Sequence, residues 1–106
     1  MPKYLVQASY SVGGAKGLLR DGGTKRRATI EALMKGVGGR VEAFYYAFGD
    51  ADVYCIVEAP DNATLAAVSL TINASGVVSL KTTPLLTAEE IDQAAKTTVH
   101  YQPPGQ

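Results

Sequence analysis

Three consecutive cations, Lys25-Arg26-Arg27, open a helical stretch and carry the sharpest chemical signal in this chain. Cations at a helix N-terminus oppose the macrodipole, whose positive end lies there, so a negative group is needed to compensate them. Arg26 stands four residues before Ile30 and seven before Leu33, which places it at the end of the helix's apolar stripe rather than on its solvent face. Two guanidinium groups, free backbone N–H groups and nearby Lys16 together suit a carboxylate or a phosphate. The competing reading pairs the arginines with an acid such as Asp50 or Asp52, in the same subunit or a neighbouring one. The preceding glycines, from Gly13-Gly14 to Gly22-Gly23, match neither a P-loop nor a dinucleotide fingerprint in spacing or strand context.

The remaining candidates are aromatic or acidic. Tyr10, Tyr45, Tyr46 and Tyr54 can wall a pocket for a flat or apolar molecule and orient it through their hydroxyls, or fill a core and an interface. Asp50 and Asp52 occupy alternate positions at a turn, where a carboxylate acts as a turn former and an edge charge more often than as a general base. No His stands near them and the nearby Cys55 reads as a buried strand residue, so a metal site is not expected. The ligand set drawn from these residues is Lys16, Arg26 and Arg27 for the anion, Tyr10 and Tyr46 as walls, and Asp52 at the rim. His100, the only histidine, lies near the end of the chain and reads as a surface residue. Cys55 lies in a strand and reads as a small buried hydrophobe, and as a lone cysteine it has no disulfide partner in the chain. No nucleophile–base pair and no cofactor motif emerges, which leaves catalytic residues unassigned.

Ten basic and ten acidic residues leave 106 residues with no net charge, which gives no support to nucleic acid or a membrane surface as a partner. The distribution is less even than its sum. Residues 1–40 carry eight Lys/Arg against Asp21 and Glu31, a net of +6, and residues 41–106 carry the balancing −6. Such asymmetry steers anions or brings unlike halves of two subunits together, unless the halves interleave in the fold. With no bilayer-length apolar run and no leader-like N-terminus, the expectation is a soluble, cytoplasmic single domain over residues 1–106, with an extended tail from about residue 98.

The elements that must position these residues follow from periodicity. Tyr4 to Tyr10 alternates as a strand. Ala15 to Arg20 has room for a turn or two of helix before Gly22-Gly23 interrupts it. Thr24 is suited to cap a main helix whose stripe is Ile30, Leu33, Met34 and Val37. Arg40–Phe48 and Asp52–Ala59 form two strands about a Gly49-Asp50-Ala51 turn, with Val41, Ala43, Tyr45 and Ala47 on one face of the first and Phe44, Tyr46 and Phe48 on the other. Asp61 caps a second helix bearing Leu65, Val68 and Ile72. Val77–Thr83 is a fourth strand that Pro84 ends, and Thr87 and Glu90 form a capping box for a short last helix. The order βαββαβ plus a terminal helix is an α+β, ferredoxin-like pattern with both internal helices on one face of an antiparallel sheet.

Two features predict assembly. The two strands around Gly49 are apolar or aromatic on both faces, more than the chain's own helices can cover. From Asn62 through Leu80 no residue is charged, although the segment holds a whole helix whose outer face offers Ala66, Ala67, Leu70, Asn73 and Ala74. The C-terminal segment or another subunit is expected to cover that face.

With these elements placed, the chain resembles the GYD-domain family, small proteins related to the dimeric α/β-barrel superfamily. The resemblance is carried by Gly13-Gly14-Ala15-Lys16-Gly17-Leu18, Gly22-Gly23-Thr24-Lys25-Arg26-Arg27, Phe48-Gly49-Asp50-Ala51-Asp52-Val53, Pro60-Asp61 and Lys81-Thr82-Thr83-Pro84-Leu85-Leu86-Thr87. Ala51 stands where the family's name-giving motif has tyrosine. The resemblance implies dimerisation through sheets. It implies no single activity, because the superfamily holds cofactor-free monooxygenases, lactone isomerases, haem-dependent enzymes and proteins without known chemistry. The expected function is self-association with binding of a small anionic or aromatic molecule. The alternatives are a cofactor-free enzyme of the monooxygenase or isomerase kind and a purely structural or regulatory assembly module.

Overall fold

The computed structural model describes residues 1–106. Its elements run β1 (Lys3–Tyr10), α1 (Val12–Asp21), α2 (Gly23–Gly36), β2 (Arg40–Tyr46), β3 (Val53–Glu58), α3 (Asn62–Ala74), β4 (Val78–Leu85) and α4 (Ala88–Lys96). The four strands form one sheet in the order β2-β3-β1-β4, with every neighbouring pair antiparallel. The two helical crossovers, β1 to β2 and β3 to β4, each skip one strand, which is the split βαβ arrangement of a ferredoxin-like fold.

Alternation places the core on one face of this sheet. Tyr4, Val6 and Ala8 of β1 and Val53, Cys55 and Val57 of β3 are buried, while the residues between them are half-exposed, apart from Glu58. Met34 of α2 and Leu65 and Val68 of α3 close over that face, with Ile30, Leu33 and Ile72 packed around them. The opposite face has no helix of its own chain. There Leu5, Tyr54 and Ile56 are half-exposed and Tyr45 is 72% exposed. At one end of this open face Lys3 donates to both Glu42 carboxylate oxygens at 2.9 Å and Arg40 pairs with Glu58. Part of the +6/−6 charge asymmetry is thereby neutralised within the chain.

The fold class stands as expected, and four local expectations need correction. Helix α1 is a full ten residues, because Ser11 caps it by accepting from Gly14 N–H at 3.2 Å and three glycines inside it are tolerated. Helix α2 is entered through Gly22, at φ +83°, and not through Thr24 as N-cap. That left-handed conformation lets α1 stop and α2 start with a single residue between them. Pro84 does not end β4: it pairs opposite Tyr4, and β4 is an edge strand, where a missing N–H is tolerated. Strict alternation fails in β2, where a bulge between Val41 and Ala43 puts Val41 opposite Val57. Val41 therefore joins Phe44 against the core instead of lying with Ala43 and Tyr45 on the open face.

Two further differences are small. Val37 lies at the exposed C-cap of α2, beyond the buried stripe. Strands β2 and β3 are shorter than expected, so Phe48 is fully exposed in the connecting loop. Helix α3 begins as expected, with the Asp61 carboxylate accepting from Thr64 N–H at 2.7 Å. Helix α4 begins with the complete Thr87–Glu90 capping box.

Candidate functional site

The apolar stripe of α2, read towards its N-terminus, runs Met34, Leu33, Ile30 and then Arg26. The helical period therefore carries a guanidinium onto the face that packs on the sheet. Between α2, α3 and the sheet lies a small cavity of about 50 Å³ with 17 lining residues, 15 of them hydrophobic. Arg26 is the only charged group among them. It is half-buried and makes no ion pair with any acid of its own chain. The intrachain pairing with Asp50 or Asp52 considered above is thus not made.

Beside this cavity is a polar crevice of about 280 Å³ formed by α1, the end of β1 and the start of β4. Tyr10, Arg26 and Val78 line both spaces and form the wall between them. The crevice exists because α1 approaches the sheet closely at Gly14. A Cβ there would overlap the Val77 carbonyl oxygen and stand 3.0 Å from the Tyr10 ring. Arg20 also lines the crevice, but its guanidinium is paired with Asp21 at 3.1 Å. Arg26 is therefore the crevice's unpaired cation.

The six residues expected from the sequence separate into two pairs and two single residues. Tyr10 and Arg26 come together at the wall just described. Arg27 and Tyr46 line a different, shallow crevice on the β2 side of α2, where Tyr46 donates its hydroxyl to the Gly23 carbonyl at 2.9 Å and Arg27 lies 3.7 Å from Glu31. Burial first and Tyr10 second push the Tyr46 phenol above its usual range, while Arg26 and Arg27 pull it down. Lys16 is exposed on α1 and lines neither crevice.

Asp52 is committed to the backbone. Its carboxylate accepts from Tyr10 N–H at 2.8 Å, and its own N–H donates to Ala8 at 2.8 Å. It thereby holds Tyr10 at the point where β1 turns into α1. Cys55 faces the apolar cavity, and burial pushes its thiol up to about 11, in keeping with a small hydrophobe. No three His, Cys, Asp or Glu side chains converge anywhere in the chain. The residues missed by sequence reasoning are Val78 and Leu18. Both are ordinary apolar residues that no local pattern distinguishes from core.

Chemically, the site offers one unneutralised guanidinium with a phenol beside it, an apolar cavity on one side and a polar crevice on the other. It can hold an anion and shelter an adjoining apolar group, and it presents no nucleophile activated by a base. No helix is long and apolar enough to cross a membrane. The model of the GYD domain family matches residues 4–95. No curated protein and no solved structure matches the chain.

Proposed function

This chain belongs to the GYD domain family, and from that premise we propose that it self-associates and binds a small anion bearing a compact apolar group. The observation that carries the binding reading is Arg26: a half-buried cation at the edge of an apolar cavity, with no acid of its own chain to neutralise it. A guanidinium in that setting gains most from a carboxylate or phosphate that arrives from outside, because charge-assisted hydrogen bonds strengthen as water is excluded. The 280 Å³ crevice sits at the lower bound of ligand-pocket volumes, about 300 Å³, so the ligand is a small metabolite-sized anion. Self-association is supported by the open sheet face. Leu5, Tyr54, Ile56 and Tyr45 form an apolar and aromatic surface there that no element of the chain covers.

The test of the site is an amide chemical-shift titration with short carboxylates, from butanoate to octanoate, and with benzoate. Binding should shift Tyr10, Gly14, Arg26 and Val78. Arg26→Ala should weaken it by about tenfold to a hundredfold, the worth of a lost charge-assisted bond. Equal binding by the alanine variant, or no shifts around Tyr10 with any of these anions, would remove the reading.

A further inference from the structure

Residues 86–106 stand apart from the rest of the molecule. Every hydrogen bond and every cap they make is internal to that segment, and no ion pair joins them to residues 1–85. All nine residues of α4 are exposed, and so are Leu86, Val99 and Tyr101. The radius of gyration is 17.0 Å, against about 13 Å for a compact chain of this length. A nine-residue helix is shorter than the roughly 12–15 residues at which an isolated helix becomes even marginal in water, and a capping box alone does not make up the difference. Helix α4 therefore needs a surface to pack on, and its own subunit does not provide one.

Besides the open sheet face already described, two exposed helix faces are available on a second copy. The outer face of α3 is apolar but has no charge to meet the acids of α4. Helix α1 has both properties. Its residues Val12, Ala15 and Leu19 are all exposed, form a stripe at i, i+3 and i+7, and are flanked by the unpaired Lys16 and by Arg20, which also pairs with Asp21. Helix α4 mirrors this with Ala88, Ile91 and Ala95 at the same spacing, flanked by Glu89 and Asp92. The signs are opposite over the whole surfaces too. Residues 12–36 carry six cations against Asp21 and Glu31, a net of +4, and residues 86–106 carry three acids against Lys96, a net of −2.

We propose that the C-terminal arm of one subunit docks its α4 along the Val12–Ala15–Leu19 face of α1 in a second copy. This rests on the self-association proposed above and names the segment that crosses between subunits. Lys16, exposed and outside both crevices, then has a role in the interface.

The test is disulfide trapping in the full chain. Leu19→Cys and Ile91→Cys are made separately, mixed and oxidised, with buried Cys55 as an internal background. A covalent dimer that forms in the mixture and in neither variant alone is the expected result. Charge reversal gives a second reading in the full chain. Lys16→Glu with Arg20→Glu, or Glu89→Lys with Asp92→Lys, should each weaken self-association measured by sedimentation about tenfold, and combining all four should restore it. If a single chain carrying both Leu19→Cys and Ile91→Cys closes only on itself, the arm packs on its own subunit and the proposal falls. If no trap forms while the chain sediments as an oligomer, the arm is not the crossing segment but self-association stands. A monomer without a trap overturns both.

Discussion

Replacing Arg26 by methionine should make the protein more stable while abolishing its binding of small carboxylates. Beside the guanidinium lies the 50 Å³ cavity, lined otherwise by hydrophobic side chains and Ser69. A methionine at 26 continues the Ile30–Leu33–Met34 stripe, keeps helix propensity and has the flexibility to reach into that space. Cavity volume is worth about 24 cal/mol per Å³, so filling all 50 Å³ would stabilise by about 1.2 kcal/mol. Partial filling and the loss of the guanidinium's hydration leave an expected gain of about 0.5–1 kcal/mol. For a chain near 100 residues that is a rise in Tm of roughly 2–8 °C. Urea unfolding followed by circular dichroism at neutral pH, with the m value checked for constancy, gives the free-energy change directly. The carboxylate titration on the same sample should show no shifts at Tyr10 and Val78. A stability loss of about 1 kcal/mol or more would refute the reasoning, because it would mean that Arg26 already has a stabilising partner. A functional group that leaves the fold less stable than an apolar substitute is the ordinary signature of a site kept for binding.

Two further outcomes follow from the same geometry. Gly14→Ala should destabilise by about 2 kcal/mol in urea unfolding despite alanine's better helix propensity, because its Cβ would displace α1 from the Val77 carbonyl and the Tyr10 ring; a stabilised variant would contradict the close approach. The Asp61 carboxyl is held below its ordinary 3.8 by the Thr64 backbone N–H. A depressed folded-state pKa means that its contribution is fully present above the unfolded value and is lost as pH falls through the folded one. The wild type should therefore lose stability below about pH 4 more steeply than Asp61→Asn, and identical acid limbs in unfolding measured from pH 7 to 2 would remove Asp61 as a contributor.

The sequence-level reading of elements succeeded wherever the signal is local. Alternation in Tyr4–Tyr10, the Ile30–Leu33–Met34 stripe, the Asp61 cap and the Thr87–Glu90 box all depend on residues within one or two turns of each other. That Arg26 belongs with the apolar stripe was likewise legible, since the helical period alone puts it there. The errors have non-local causes. The bulge at Glu42 arises from pairing with β3, and it turned Val41 from the open face to the core. Pro84 is tolerated because β4 has a neighbour on one side only, a property of sheet order that no local pattern contains.

The candidate site divides in the same way. Residue types and spacing by themselves determined the family, the ferredoxin-like order of elements, and a basic cluster suited to an anion. Only the tertiary structure decided which member of that cluster is unpaired. Arg20 and Arg27 take acids within reach on their own helices, Asp21 and Glu31, but it is the fold that commits Asp52 to the backbone of Tyr10 and leaves Arg26 alone against apolar walls. It also decided that the C-terminal helix, well formed by its own capping, has nothing in its own subunit to rest on. The physical reason is common to both. Helical period and caps act over a few residues, whereas the partner of a charge or of an apolar face is chosen by which distant segments folding brings within reach.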